Sequence, residues 1–427
     1  MNPKSPTDLR SVQPRADQDG RWLVLHKMAT VALFLLPAVV ISTPTNLLPF
    51  GLLLLISSVL GVDWLWRARR LARPYAGLLS LLALAVIALG LWSVWHFDQV
   101  IKDVDNRSRF LVMPWALLWV CALRPRREAL WWGAWVGLLG TALVSAVQII
   151  SGVERAEGWT NAIVLADTAL VLMVVLVFCR PPRRWGLIAV GMLAGSAVIL
   201  LSGSRGVWPA LLLLLFAMTL SVRWRSGHFR LSALLGGVAL VGGLILAVPE
   251  LREVTRLNEL HSDVQRIERG DANSSAGARL ERLQVAWHTL LERPWKGIGI
   301  GHFDTAMERL PECRPPATPV ERCDLGHAHN DLAEWGATLG IPGLVLLFGV
   351  YGLPLWLFVH LHRRSGEHIF HGPAAAGIML VGSYVLCGLT QSMFAHQIAA
   401  STYAALVGVL AGLSLLDAAQ RRTATQG

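Results

Sequence analysis

The sequence predicts an all-α membrane protein that crosses the bilayer many times, and three observations support this prediction. Hydrophobic residues make up 54% of the 427 residues and charged residues only 15%, and the mean hydropathy is +0.50. This composition is too apolar for a water-soluble chain of this length. Apolar runs long enough to cross about 30 Å of hydrocarbon recur along the chain. The connections between these runs alternate in charge.

The apolar runs predict about twelve transmembrane helices. They lie at residues 22–42, 46–66, 75–95, 108–123, 129–150, 161–179, 185–202, 206–221, 231–248, 341–361, 373–391 and 399–416. The predicted organisation is a tail over 1–21, nine spans within 22–248, a large helical extramembrane loop over 249–340, three spans within 341–416 and a second tail over 417–427.

Arginine clusters occupy alternate connections between the spans. They fall at 67–73, 124–127, 180–184, 223–230, 363–364 and 421–422. Because basic loops mark the cytoplasmic side, we expect both tails to be cytoplasmic and the loop 249–340 to lie outside. These loops also account for the net charge of +10, so the basic composition does not indicate nucleic-acid binding.

The outer loop is predicted to contain two helices, at 250–268 and 278–292, joined by a glycine- and serine-containing linker. The second helix places Leu280, Leu283, Trp287 and Leu290 along one face. The segment KGIGIGHF that follows has the wrong spacing for a dinucleotide fingerprint. It is interpreted as a loop in which the backbone approaches its neighbours closely.

Two cysteines, Cys313 and Cys323, fall in the outer loop, whereas Cys121, Cys179 and Cys387 lie in or beside spans. In an oxidising compartment only the first pair is placed to form a disulfide. Two free thiols are the alternative. We predict the bridge, because the segment between the two cysteines is Pro-rich and needs a constraint.

The stretch from Cys323 to Gly343 is predicted to be the functional centre. His329 and Asn330 precede a short amphipathic helix, which Gly340 ends before Pro342 begins another. The helix places Leu332, Trp335 and Leu339 on one face. His329 would then lie near a helix N-terminus at the membrane boundary, where backbone N–H groups attract anions and keep imidazole neutral.

Charged side chains near the membrane are costly, so they tend to be paired or functional. Arg205, in the segment SGSRG, is predicted at the outer end of a span, where it can meet a lipid-borne anion; a snorkelling arginine is the alternative. Arg279, at the start of the second outer helix, is a similar candidate, although such arginines are often solvated. Arg266, Arg269 and Arg282 are weaker candidates, since charge runs on outer helices are usually solvated faces.

Other polar residues near the membrane are less specific. Asp167 lies within a predicted span, where it is either functional or hydrogen-bonded to another helix. His327, His329 and Asp331 require a metal site to be considered. Two histidines two residues apart do not share a helical face, and no third ligand stands at a familiar spacing, so no metal is predicted. Further candidates for polar lining are Gln391, His396 and Gln397.

His329-Asn330, followed after nine residues by Gly340-x-x-Gly343, resembles the H-[NSQ]-x9-G-x-x-G signature of the bacterial O-antigen ligases. These are membrane glycosyltransferases that join O-polysaccharide to lipid A-core. The SGSRG turn, the Arg279-Leu280 segment, the glycine loop at 294–303 and the large outer loop follow in the family's order. The resemblance covers the whole predicted topology.

The resemblance implies a GT-C-like enzyme, without a metal or other cofactor, among the lipids of the bacterial inner membrane and with its site facing the periplasm. It implies inverting transfer of a glycan from undecaprenyl diphosphate to a sugar hydroxyl of lipid A-core. His329 would be the general base, and Arg205 and Arg279 would bind the diphosphate. Asn330 would orient the base or contact substrate. Weaker contributors would be His327, Arg266 and Gln391.

Alternatives remain at this point. O-antigen polymerases and protein O-oligosaccharyltransferases share the broader superfamily, as do some proteins described as bicarbonate transporters. A small-solute transporter would be expected to show broken helices and mid-membrane polar residues in two related halves. The sequence shows no such symmetry, because its polar groups gather at the outer boundary.

Overall fold

The computed structural model describes residues 20–221, 275–314, 323, 326–365 and 371–426. Every regular element within these ranges is helical, which confirms the all-α prediction. Numbered among the described residues, the α-helices are α1 Gly20–Val39, α2 Leu48–Leu60, α3 Val62–His96, α4 Asp105–Ser108, α5 Val112–Leu123, α6 Arg127–Ile150, α7 Ala162–Phe178, α8 Trp185–Leu201, α9 Trp208–Ser221, α10 Ser275–Glu292, α11 Phe303–Met307, α12 Asp331–Ser365, α13 Pro373–Gly388 and α14 Gln397–Gln426. Short 3-10 turns lie at Ile101–Val104, Arg109–Leu111, Arg205–Val207, Pro311–Cys313 and Met393–Ala395.

Five of the described helices are long and apolar enough to cross a membrane, namely α1, α3, α6, α12 and α14. The shorter apolar helices are α2, α7, α8, α13 and the segment Arg205–Ser221. The chain is therefore a multi-pass membrane protein. The predicted span 231–248, the predicted outer helix 250–268 and Arg266 lie outside the described residues, so the count of twelve spans stays a prediction.

One predicted connection is wrong. The sequence predicts a single span over 46–66 and a loop over 67–73, but α2 ends at Leu60 and α3 continues through the arginines to His96. The break falls at Gly61 instead. Arg, Ala and Leu are all strong helix formers, so a run of charge does not end a helix. With 35 residues, α3 is about 52 Å long and extends its arginines beyond the hydrocarbon layer.

Helix α7 lies at the centre of the bundle. Its sequence is apolar on every side, and a helix of that kind is normally surrounded by protein or lipid. All of its residues except Ile163 are buried within the protein. Asn161 caps its start, because its side-chain oxygen accepts hydrogen bonds from the amides of Ile163 and Val164. Asp167 follows little more than one turn later and is 1% exposed.

Several arginine-rich connections lie together at one end of the bundle. Arg127, Arg180 and His371 line one small cavity. The carbonyl oxygen of Arg180 lies 3.2 Å from His371 Nε2, and Arg127 is 3.9 Å from the carboxylate of Asp417. This grouping agrees with the prediction that these connections share one side of the membrane. Which side that is stays a prediction.

A different set of loops meets at the opposite end. Nδ2 of Asn106 donates a hydrogen bond to the carbonyl of Ala395 at 2.6 Å. The hydroxyl of Thr390 donates to the carbonyl of Gly206 at 3.3 Å. The connections before α5, α9 and α14 are thereby joined. The stretch that leads into α12 packs against the same loops, so the predicted functional centre lies at this end.

The predicted turn at Gly340 is confirmed. Helix α12 is kinked there, with Gly340 at φ 67° and ψ −158°, a conformation that favours glycine. The glycine loop packs into the kink: Ile341 N donates to Pro294 O at 2.7 Å and Gly299 N donates to Thr338 O at 3.0 Å. A Cβ at Gly297 would clash with the backbone at Thr338. The predicted close backbone approach is therefore also present.

The two amphipathic faces predicted around the site are rotated. In α12 Trp335 is fully buried, but Leu332 is 40% exposed. In α10 the predicted apolar face is largely exposed, whereas Arg282 is only 2% exposed. The expectation that leucines point inward is a rule for water-soluble proteins. In a membrane protein apolar side chains are equally stable against lipid, and polar ones turn toward the protein.

Candidate active site

His329 lies two residues before α12, as predicted, in a left-handed backbone conformation with φ 53°. This conformation is uncommon for a residue with a Cβ, and it turns the ring away from the helix axis toward the loop that precedes α14. Nδ1 of His329 lies 2.8 Å from Oε1 of Gln391. Gln391 itself is 1% exposed. Half-buried His329 and buried Gln391 therefore form a pair contributed by separate parts of the chain.

The partner of His329 decides which ring nitrogen carries the proton. Oε1 of Gln391 also accepts a hydrogen bond from the amide of Ser392 at 3.1 Å, which identifies this atom as the oxygen. An amide oxygen only accepts hydrogen bonds. In neutral His329 the proton must then be on Nδ1, so Nε2 carries the lone pair. This is the tautomer that a general base requires.

Asn330 holds the His329 and Gln391 segments together. Its backbone N–H donates to Ser392 Oγ at 3.1 Å, and its side-chain Nδ2 donates to Leu389 O at 2.9 Å. Its Oδ1 accepts from Ala333 N at 3.0 Å, which makes Asn330 the N-cap of α12. These bonds hold the two segments in place, and the contact of Asn330 with substrate stays a prediction. The His329 ring itself is hydrogen-bonded to Gln391.

Three histidines are in contact around the site. The ring centroids of His327 and His329 are 4.4 Å apart, and those of His327 and His396 are 4.8 Å apart. Burial, with a smaller contribution from His327, lowers the pKa of His396 to about 4. Burial also lowers the pKa of His329 to about 3, with smaller contributions from His327, Arg282 and Arg279. The hydrogen bond that His329 donates to Gln391 opposes this shift. Both histidines are thus neutral at ordinary pH.

Arg279 and Arg282 give the site its positive charge. Both lie on the inward side of α10, and both disfavour a proton on His329. Arg279 is half-buried and also acts electrostatically on Asp167. The interpretation of Arg282 as a solvated charge is wrong, because its side chain is buried. Its spacing of three residues from Arg279 is a signal that could have identified it, since such residues share one helical face.

Arg205 begins the 3-10 turn before α9. The next residue, Gly206, accepts the hydrogen bond from Thr390, which directly precedes Gln391. Arg155 braces the turn from another loop, since its Nε donates to Ser202 O at 2.9 Å. The SGSRG turn therefore abuts the segment that orients His329. Sequence reasoning did not identify Arg155.

A network of buried charged residues packs against the segments that form the site. It was not predicted from the sequence. Nη1 of Arg107 donates to Phe394 O at 2.9 Å, and its guanidinium carbon lies 4.1 Å from the centre of the Trp335 ring. Burial lowers the pKa of Arg107 to about 10, against the opposing effect of Glu334 and then of Asp331. The guanidinium therefore stays charged between the two segments that carry His329 and Gln391.

The two acidic residues of this network accept hydrogen bonds from backbone amides and from a tyrosine hydroxyl. Glu334 accepts a hydrogen bond from the amide of Ala328 at 2.8 Å. Asp331 accepts from the Tyr351 hydroxyl at 2.7 Å and from the amide of Phe394 at 3.3 Å. Asp331 and Glu334 are three residues apart and so lie on one helical face. This spacing could have indicated from the sequence that the two residues share a cation.

The same contacts bear on the metal question. Asp331 is directed toward Tyr351 and so does not join His327 and His329 in a ligand set. Over the described ranges, no group of three or more His, Cys, Asp or Glu side chains is arranged to hold a metal ion.

Cys313 and Cys323 are joined by a disulfide, with Cα atoms 5.5 Å apart. The separation of ten residues closes a short loop. Cys323, the second cysteine of the bridge, lies four residues before His327 along the chain. Cys121 and Cys387 are buried thiols, and Cys179 is a half-buried thiol.

Comparison with known proteins agrees with the resemblance drawn from the sequence. Residues 190–348 match the family model described as O-Antigen ligase. The matched segment includes Arg205, Arg279, Arg282, His329 and the kink at Gly340. Gln391 and Arg107 lie outside it. A search of curated proteins found no match.

Proposed function

We propose that the protein is an O-antigen ligase, because residues 190–348 match the model of this family, whose members are glycosyltransferase-like ligases and polymerases. It transfers O-polysaccharide from undecaprenyl diphosphate to a sugar hydroxyl of lipid A-core. The reaction inverts the anomeric centre and uses no metal. The observation that carries this proposal is the pair His329–Gln391, a neutral histidine whose lone pair is on Nε2 and which two arginines influence electrostatically.

His329 acts on the acceptor. A sugar hydroxyl is a weak nucleophile, so its proton must leave as the new bond forms. Nε2 of His329 accepts this proton while the hydroxyl oxygen attacks the anomeric carbon of the donor. The bond from that carbon to the diphosphate oxygen breaks, and the electron pair leaves with the diphosphate. Attack from the face opposite the leaving group inverts the configuration.

The arginines act on the donor. The diphosphate gains negative charge as it leaves, and fixed guanidinium groups stabilise that charge in the transition state. Arg279 and Arg282 come from α10, and Arg205 comes from the turn that abuts the Gln391 segment. Guanidinium forks suit phosphate oxygens better than a strongly hydrated ammonium does. Arg266 and His327 are retained as weaker contributors.

The two halves of the site are electrostatically linked. Arg279 and Arg282 lower the basicity of His329 in the absence of substrate. A bound diphosphate would neutralise these arginines and favour a proton on the ring, which raises the pKa of His329. His329 would therefore become a stronger base when the donor is bound. It would stay unprotonated while the donor is absent.

The acceptor distinguishes the proposed ligase from its nearest alternatives. A polymerase would use the glycan of a second polyprenyl-linked donor, and a protein O-oligosaccharyltransferase would use a hydroxyl of a polypeptide. The chemistry at His329 is the same in all three. Purified protein should be incubated with lipid-linked glycan and each acceptor separately, with and without a chelator. Transfer to lipid A-core that survives chelation is expected; transfer only to one of the other acceptors would refute the ligase assignment.

The proposed setting is the bacterial inner membrane, with a GT-C-like arrangement of about twelve spans, the site facing the periplasm and both tails cytoplasmic. The arginine-rich end of the bundle supports this orientation by the positive-inside rule. A thiol introduced at His288, which is exposed on α10, should react with a membrane-impermeant reagent in spheroplasts. Labelling only after the inner membrane is opened would contradict the orientation.

A further inference from the structure

The outward surface of α10 is divided lengthwise into an apolar and a polar half. The apolar strip consists of Leu280, Leu283, Trp287 and Leu291, which are 39–59% exposed. At 100° per residue these four fall within an arc of about 80°. Gln284, His288 and Glu292 are also exposed and fall within the adjoining arc of about 80°. The boundary between the halves runs along the helix axis.

The inward side of the helix is fixed on the protein. Val285 and Ala286 are buried in a small apolar cluster with Ala337 of α12, and Arg282 is buried beside them. The helix therefore cannot rotate to hide its leucines without exposing the Arg282 guanidinium and this cluster. The apolar strip is a stable outward surface of the folded protein.

The apolar strip is followed by further exposed apolar residues that reach the apolar part of α12. Trp295, just beyond the end of α10, is 66% exposed. Its neighbour Pro294 accepts the hydrogen bond from the amide of Ile341. From there Ile341, Val345 and Phe348 follow on one face of the membrane-spanning part of α12, and they are 38–63% exposed.

We propose that α10 lies along the membrane surface, with the apolar strip seated in the lipid of the leaflet nearest the site and with Gln284, His288 and Glu292 in water. Three features point to lipid as the occupant. The outward surface is divided as in an interfacial amphipathic helix, Trp287 and Trp295 suit the membrane–water boundary, and the apolar strip is continuous with a transmembrane surface.

The placement of α10 at the membrane surface also affects catalysis. This consequence rests on the proposed function. Arg279 and Arg282 project from the side of α10 that faces the site. A helix held at the membrane surface would keep both guanidinium groups at the level of lipid headgroups, where the diphosphate of a polyprenyl donor lies. The seating itself does not depend on the reaction.

Site-directed spin labelling tests the seating in the full-length protein. Leu283→Cys and Leu291→Cys probe the apolar strip, and Gln284→Cys and His288→Cys are matched controls one to three residues away on the same exposed surface. The half-buried Cys179 is first changed to Ala. Each variant is placed in nanodiscs of phosphatidylethanolamine and phosphatidylglycerol, and label collisions with oxygen and with a water-soluble nickel complex are compared.

We expect oxygen to dominate at 283 and 291 and nickel to dominate at 284 and 288. Nickel dominance at all four positions would place the apolar strip in water and overturn the proposal. Shielding of 283 and 291 from both reagents would also overturn it, since protein, such as a second copy, would then cover the strip. Two leucine positions are used so that one misfolded variant does not decide the result. No donor or acceptor is present, so this test and the transfer assay fail independently.

Discussion

Oε1 of Gln391 lies 2.8 Å from Nδ1 of His329, although the two residues are 62 positions apart in the chain. Because the same oxygen accepts the Ser392 amide, the bond fixes both the orientation of the ring and the nitrogen that carries the proton. A base held in this way needs no rearrangement before it accepts a proton. The mechanism depends on this contact as much as on His329 itself.

Gln391→Ala should lower kcat by about 10- to 100-fold, because the ring loses the partner that selects its tautomer, while the KM for donor changes little. Gln391→Glu restores an acceptor and adds a negative charge, so it should raise the pKa of His329 and move the acid limb of the rate profile to higher pH. A merely structural role for Gln391 predicts no such movement. Gln397→Ala, at an exposed glutamine nearby, is the control and should behave like the wild type.

Lysine at the arginine positions keeps the positive charge but loses the forked hydrogen-bond geometry, so activity should fall. Arg205→Lys, Arg279→Lys and Arg282→Lys should each reduce kcat/KM for donor by about 10- to 100-fold, the value of one charge-assisted hydrogen bond. Arg293→Lys, at an exposed arginine just after α10, should be nearly neutral. Initial rates at limiting donor measure the effect. Wild-type rates for all three site variants would rule out forked binding of the diphosphate.

The pH dependence should differ between the free and the donor-bound enzyme. The neutral form of His329 is the active form, so the rate falls as pH drops through its pKa. In the free enzyme burial, His327, Arg282 and Arg279 lower that pKa to about 3, so kcat/KM should stay flat well below the ordinary value of about 6.5. Bound diphosphate raises the pKa, so the acid limb of kcat should appear at higher pH. A limb in kcat/KM at or above about 6.5 would contradict this account.

The bridge between Cys313 and Cys323 should be present in protein exported to an oxidising compartment. Peptide mapping without reductant should recover the two cysteines linked. The double change Cys313→Ser, Cys323→Ser should reduce stability by about 2–4 kcal/mol, measured by thermal unfolding in detergent. Residual activity at low temperature should remain, because neither sulfur takes part in the reaction. Recovery of both cysteines as free thiols would show that the bridge does not form.

The sequence was sufficient to predict the membrane class, the kink at Gly340, and the placement of His329 just before a helix. Each of these depends on local information: apolar length, the conformational freedom of glycine, and the residues that start helices. The family signature added the identity of His329. Gly297 and Gly299 were also interpretable, because such closely spaced glycines indicate a backbone that must approach its neighbours.

The sequence was insufficient where distant segments meet. Gln391 was only one of several polar residues near a span end, and nothing in its neighbourhood indicated His329 as its partner. Arg107 was not identified, because its partners come from distant parts of the chain: Phe394 from the turn before α14 and Trp335 from α12. Arg282 was misassigned since the inward side of α10 was inferred from its leucines, and in a membrane protein apolar residues can also face lipid.

In the proposed reaction Nε2 of His329 takes the proton of the acceptor hydroxyl, and single-turnover transfer by His329→Ala is the decisive test of this step. Donor-loaded enzyme is mixed with lipid A-core in the presence of a chelator, and donor binding is measured separately. We predict a rate about 10²- to 10⁴-fold below wild type with donor binding intact, while His327→Ala retains most of its rate. Transfer by His329→Ala at the wild-type rate, or loss of wild-type activity on chelation with recovery on adding a divalent metal, would contradict the claim.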